Sequence, residues 1–238
     1  MAEPRHDAPP DDGLAALSRD WLVAATRRRQ DFGFPTWLGR PVLQLPQDLV
    51  AMQEIIWRVK PHLIVETGVA MGGSLVFYAS MLALLGGERR VLGIDVEIRP
   101  HNREALEQHP YIDRIELVEG SSLDPSVVAR AQAAARAVET VLVVLDSNHT
   151  HAHVLAELEA YAPLVSPGSY CVVFDTAIAQ MPADTYPDRP WGPGDNPLTA
   201  VTAFLEREPG FEVDHQFEGR YGITVAPSGY LRRLGGEG

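Results

Sequence analysis

Five carboxylates stand where apolar runs stop: Glu66, Asp95, Glu119, Asp146 and Asp175. Such runs read as strands buried on both faces, and an open parallel sheet binds ligands outside the carboxyl ends of its strands. One acid there is an ordinary helix cap or solvated terminus, whereas five in register mark a ligand-binding edge. Asp146 and Asp175 end what should be neighbouring strands, so they can share a divalent cation, and magnesium favours carboxylates with water and substrate oxygens. His149, three residues past Asp146, is placed to take a proton from a substrate hydroxyl. Asp95 suits the two ribose hydroxyls of an adenosine, with a cap for the following helix as the alternative. Ser121 and Ser122, after Glu119, are small hydrogen-bonding residues for an adenine edge, or else turn residues.

The loop that follows the first strand is E-x-G-x-x-x-G-G-S, from Glu66 to Ser74. It departs from the dinucleotide G-x-G-x-x-G, because Val69 and Ala70 fill positions where glycine would cradle a pyrophosphate. A strand-end acid beside glycines suits a positively charged, non-phosphate ligand, and S-adenosylmethionine is the candidate. The expected cofactor-binding set is Glu66, Gly68, Gly72, Ser74, Asp95, Ser121, Ser122 and Asp146. Alternating His149, His151 and His153 also raise a zinc hydrolase. A helix starting at Ala152 sends His151 and His153 to different faces, which leaves them as surface or cap residues.

These residues need a scaffold. Strands are expected at Leu63–Glu66, Val91–Val96, Ile115–Glu119, Val141–Asp146 and Tyr170–Asp175. Helices are expected between them at Ser74–Leu85, Arg103–Gln108, Pro125–Ala137 and Ala152–Ala162. A proline-rich loop, Thr176–Asn196, is long enough to cover the site and select an acceptor. A helix Pro197–Glu208 and a hairpin of Phe211–Phe217 with Gly222–Val225 complete the order. The fold class is α/β, five parallel strands plus a C-terminal β-hairpin, a Rossmann-like class I sheet. Residues 1–13 read as a disordered tail, 14–60 as an N-terminal helical extension with helices Leu14–Gln30 and Gln47–Val59, and 61–238 as the catalytic domain. The apolar face of the first helix is expected to dock on another subunit, making a homo-oligomer.

Composition narrows the partners. A net charge of −12 over 238 residues opposes nucleic-acid binding, which needs a basic face. The single cysteine, Cys171, excludes a disulfide framework and points to a reducing compartment. No signal-peptide core or membrane-length apolar run is evident, so the expectation is a cytoplasmic protein without a membrane partner.

The blocks ETGVAMGGS, GIDVEIRP, LDSNHTHAHVLAELEAYAPLVSPGSYCVVFDT and WGPGDNPLTAVTAFL, followed by ITVAPSGYLRR, resemble the cephalosporin-hydroxylase family. That family groups with S-adenosylmethionine-dependent, often magnesium-dependent O-methyltransferases of natural-product and sugar tailoring. The resemblance spans roughly Leu43 to Leu234. It implies a small-molecule hydroxyl acceptor, cofactor contacts at Glu66, Gly68, Ser74 and Asp95, and metal at Asp146 and Asp175. His149 occupies the offset of the catalytic lysine in catechol-type relatives. The chain departs from metal-dependent relatives at Phe174, where a second acid would precede Asp175. Replacement by Thr176, weak binding and absence of metal all stay open. Two other readings follow: a hydroxylase, which would need two histidines and one carboxylate on iron, and a non-catalytic binding subunit, which would tolerate loss of Asp146 and His149.

Overall fold

The computed structural model describes residues 12–235, so residues 1–11 of the expected tail and residues 236–238 lie outside it. The central sheet comprises β1 (Leu63–Thr67), β2 (Arg90–Asp95), β3 (Ile115–Glu119), β4 (Val141–Leu145), β5 (Tyr170–Val173), β6 (Phe211–Val213) and β7 (Tyr230–Arg233). Their spatial order is β3-β2-β1-β4-β5-β7-β6. The first five are mutually parallel, while β7 runs antiparallel to both β5 and β6. Chain order reverses between β1 and β4, and such a switch point opens a crevice above the strand ends.

Helices cover both faces: α1 (Asp12–Phe32), α2 (Pro46–Val59), α3 (Gly73–Leu85), α4 (Pro100–Glu107), α5 (Pro125–Arg136), α6 (His151–Tyr161), α7 (Pro197–Leu205) and α8 (Gln216–Tyr221). Every residue of β1 and β4 is buried, which explains the aliphatic runs Leu63–Val65 and Val141–Leu145. One core layer holds Ile56, Leu75, Tyr78 and Phe217, and the other Val127, Leu158, Tyr161 and Phe204. A two-residue ribbon, Thr36–Trp37 with Arg40–Pro41, leans on α3. A Cβ on Gly73 would overlap the Pro41 carbonyl there.

The C-terminal strands differ from the expected hairpin. β6 stops at Val213, residues 216–221 form α8, and the last strand is Tyr230–Arg233 instead of Gly222–Val225. Buried Asp48 of α2 captures the intervening segment, accepting from Thr224 Oγ1 at 2.5 Å, Val225 N at 3.1 Å and Tyr230 Oη at 2.9 Å. Those bonds leave Thr224 and Val225 unavailable to a ladder, and Val225 instead faces the central cavity. The first helix docks on its own chain: Leu22 is buried and Ser18 Oγ donates to the Gly222 carbonyl. Leu17 and Trp21 remain exposed. Among the described residues, no helix is long and apolar enough to cross a membrane.

Gly68 serves the packing of β1 on β4. Its φ of +96° is disfavoured for side-chain-bearing residues, and an added Cβ would overlap the Asp146 main-chain carbonyl. Gly68→Ala is therefore expected to lower the unfolding free energy by at least about 2–3 kcal/mol, measured by urea titration. An unchanged midpoint would mean that these two strand ends separate easily.

Candidate active site

Above the switch point lies a cavity of about 840 Å³. Its floor is the β1–α3 turn, including Gly68, Val69, Ala70 and Ser74, and its far wall carries Asp146, His149 and Asp175. The three side chains each present a ligand atom, all within 4.8 Å of one another. Asp146 and Asp175 arrive together because β4 and β5 are adjacent and parallel, with Leu145 opposite Val173. His149 comes from the turn before α6, and its Nε2 lies 3.2 Å from Asp175 Oδ2. The His149 and Trp191 rings meet edge to face at 4.8 Å, and Arg189 stacks on the other ring at 5.2 Å. Asp175 adopts φ +58°, a strained conformation of the kind that gathers at functional sites.

Electrostatics favour a cation here. Burial, then Asp175 and Glu66, push the Asp146 carboxyl well above its ordinary range. A divalent ion between Asp146 and Asp175 would relieve that repulsion, and a set dominated by carboxylate oxygen matches magnesium. One imidazole with two carboxylates inverts the iron facial triad, which needs two histidines. Zinc histidine clustering is also not what forms: His151 Nδ1 pairs with Thr199 Oγ1 at 2.9 Å. His153 Nε2 lies 3.4 Å from Glu157 and 3.2 Å from Ser122 Oγ.

Several residues expected to contact the cofactor stand elsewhere than the strand-end pattern suggests. Glu66 is wholly buried beneath the floor, where its Oε2 accepts from Ser74 Oγ at 2.7 Å. Burial raises its carboxyl to about 8, and it is not part of the cavity wall. Ser74 is the member of that pair that reaches the cavity. Asp95 faces the floor from behind, accepting from Val69 N at 2.8 Å and Ala70 N at 3.0 Å. Gly72 caps α3 at φ +79°, where a Cβ would strike Leu106. Ser121 accepts from Leu123 N at 3.3 Å, the turn alternative, and Ser122 lies against His153. Gly72, Asp95, Ser121 and Ser122 are not part of the cavity wall. Thr176 is buried and is not part of the cavity wall, its hydroxyl donating to the Pro227 carbonyl at 2.7 Å.

The N-terminal segment supplies a wall that the strand pattern could not announce, through Thr26, Phe34, Leu43 and Gln44. Gln44 Nε2 donates to Asp146 Oδ2 at 2.8 Å. The loop before α7 contributes Tyr186, Arg189 and Trp191. It is braced where Asn196 Nδ2 donates to the Gly192 and Pro193 carbonyls, each at 2.9 Å, and where Asp195 accepts from His151 N at 2.5 Å.

A family model described as Rhamnosyl O-methyltransferase/CmcI matches residues 33–234. The rhamnosyl O-methyltransferase of Mycobacterium tuberculosis is 31% identical over 201 residues, covering 83% of this chain and 78% of that protein. The protein of the same name from Mycobacterium leprae is 29% identical, covering 83% and 82%. Among solved structures, CmcI with Mg and S-adenosylmethionine superposes with a TM-score of 0.59 at 20% identity, covering 99% of this chain and 88% of that one. The O-methyltransferase TomG from Streptomyces achromogenes gives 0.56 at 19% identity, covering 96% and 93%. The structures establish the class I methyltransferase fold, and with a family model spanning most of its length this chain belongs to the rhamnosyl O-methyltransferase/CmcI family.

Proposed function

We propose that this chain methylates a hydroxyl of a sugar or sugar-bearing natural product, using S-adenosylmethionine and a divalent cation. The observation that carries the reading is the convergence of Asp146, His149 and Asp175 within 4.8 Å over a glycine-turn floor. The family and the mycobacterial relatives named rhamnosyl O-methyltransferase support the reaction and the acceptor class. Magnesium and S-adenosylmethionine are what the CmcI structure binds.

S-adenosylmethionine supplies an electrophilic sulfonium methyl, and the cation would be held by Asp146 and Asp175, where it acidifies a hydroxyl oxygen. The floor from Gly68 to Ser74 holds the cofactor, and Asp95 keeps that floor in shape through its two amide bonds. His149 takes the acceptor's proton, with Asp175 beside its Nε2 to stabilise the imidazolium. Trp191 and Tyr186 offer flat apolar faces for the acceptor. Alignment of the acceptor oxygen with the methyl then supplies much of the rate.

The test is calorimetric titration with S-adenosylhomocysteine, followed by methyl transfer to a rhamnosyl glycoside with and without a chelator. Binding, transfer and loss of transfer on chelation are the expected results. Failure to bind S-adenosylhomocysteine, with or without magnesium, would remove the reading.

A further inference from the structure

Gln44 stands beside the acid pair but belongs to a different part of the chain. Val42 and Leu45, on either side of it, are core residues, which pins the backbone between the two-residue ribbon and α2. Its side chain is itself only 6% exposed. One end is satisfied, Nε2 donating to Asp146 Oδ2 at 2.8 Å, whereas Oε1 is buried with no hydrogen-bond partner. A buried amide oxygen left unpaired carries its full desolvation cost, and so calls for a partner that the surrounding protein atoms do not provide.

The surroundings define that partner. Two carboxylates and an imidazole converge here, and an amide carbonyl is a standard oxygen ligand for hard divalent cations. The end of β5 contributes only Asp175 to the cavity's oxygen donors, because Phe174 is apolar and Thr176 is buried outside the cavity wall, its hydroxyl donating to the Pro227 carbonyl. We infer that Gln44 is a member of the cation site: its Nε2 fixes Asp146, and its Oε1 supplies the neutral oxygen that the end of β5 lacks. The inference rests on the reading of Asp146 and Asp175 as cation ligands. It also makes the site depend on docking of the N-terminal segment, so that cation binding and packing of residues 36–45 reinforce each other.

Magnesium titrated calorimetrically into the intact protein, with manganese binding followed by electron paramagnetic resonance, tests this without any acceptor. Gln44→Leu is expected to weaken the affinity for both ions by about 10–100-fold, while S-adenosylhomocysteine still binds and reports an intact fold. Gln44→Glu keeps the shape and an oxygen, and should bind both ions at least as tightly as the wild type. Wild-type affinity in Gln44→Leu would overturn the inference, and a Gln44→Glu protein as weak as Gln44→Leu would overturn the oxygen-ligand role. A wild type that binds neither ion would instead remove the cation reading itself, and the inference with it.

Discussion

Asp146→Ala is expected to lower kcat by about 10³-fold, since metal-assisted charge stabilisation is worth several kcal/mol at ~1.4 kcal/mol per decade. The substitution removes a proposed cation ligand and the acceptor of the Gln44 amide while leaving the β1–α3 turn alone. Gly68 packs against the main-chain carbonyl of Asp146, not its carboxylate, and Asp146 N continues to donate to the Thr67 carbonyl at 2.9 Å. Affinity for S-adenosylhomocysteine should therefore persist. Thermal stability in the absence of metal should change little, because burial and Asp175 already disfavour the Asp146 carboxylate while its loss leaves the buried Gln44 amide without its acceptor. Asp146→Asn separates charge from shape. It should lose nearly as much turnover as the alanine variant while retaining a hydrogen bond to Gln44. Near wild-type turnover in either variant would sink the cation hypothesis.

How far the site was legible in the sequence depends on where each residue stands. Asp146 and Asp175 end fully buried runs, and the parallel rule alone puts such ends on one rim. His149 was readable from its offset. Glu66 looked identical to them in one dimension, yet it lies beneath the floor because its side chain points to α3 and Ser74. Period alone cannot tell which strand-end acid faces the crevice. Gly68 and Gly72 were legible as glycines that the turn requires, but the overlaps they avoid are with Asp146 and Leu106, protein neighbours in place of a ligand. Gln44 carried no signal at all, since its importance comes from a tertiary contact across 102 positions.

The fold shows the same division. The five parallel strands announced themselves through their Val/Ile/Leu-rich runs, most of whose positions are buried. The last strand did not. Tyr230–Arg233 ends in two arginines, one of which pairs with Glu212 across the antiparallel edge. The more strand-like Ile223-Thr224-Val225 is held as a loop by Asp48. A buried acid on a distant helix outweighed local β propensity there. The loop Thr176–Asn196, expected to cover the site, contributes Tyr186, Arg189 and Trp191 to the cavity wall.

His149→Gln should reduce kcat by about 10²–10⁴-fold, the usual contribution of a positioned general base. The imidazole is wedged between Asp175 Oδ2 and the Trp191 ring, a geometry that fixes its orientation before any acceptor arrives. Glutamine can fill much of that space and still donate to Asp175, so loss of rate would report loss of proton transfer. Magnesium affinity separates this role from ligation, since His149 also lies within reach of the cation position. A base predicts that kcat falls while the magnesium Kd changes little. A ligand predicts that both worsen together, and that result would move His149 from proton acceptor to metal holder and leave the proton to another group on the cavity wall.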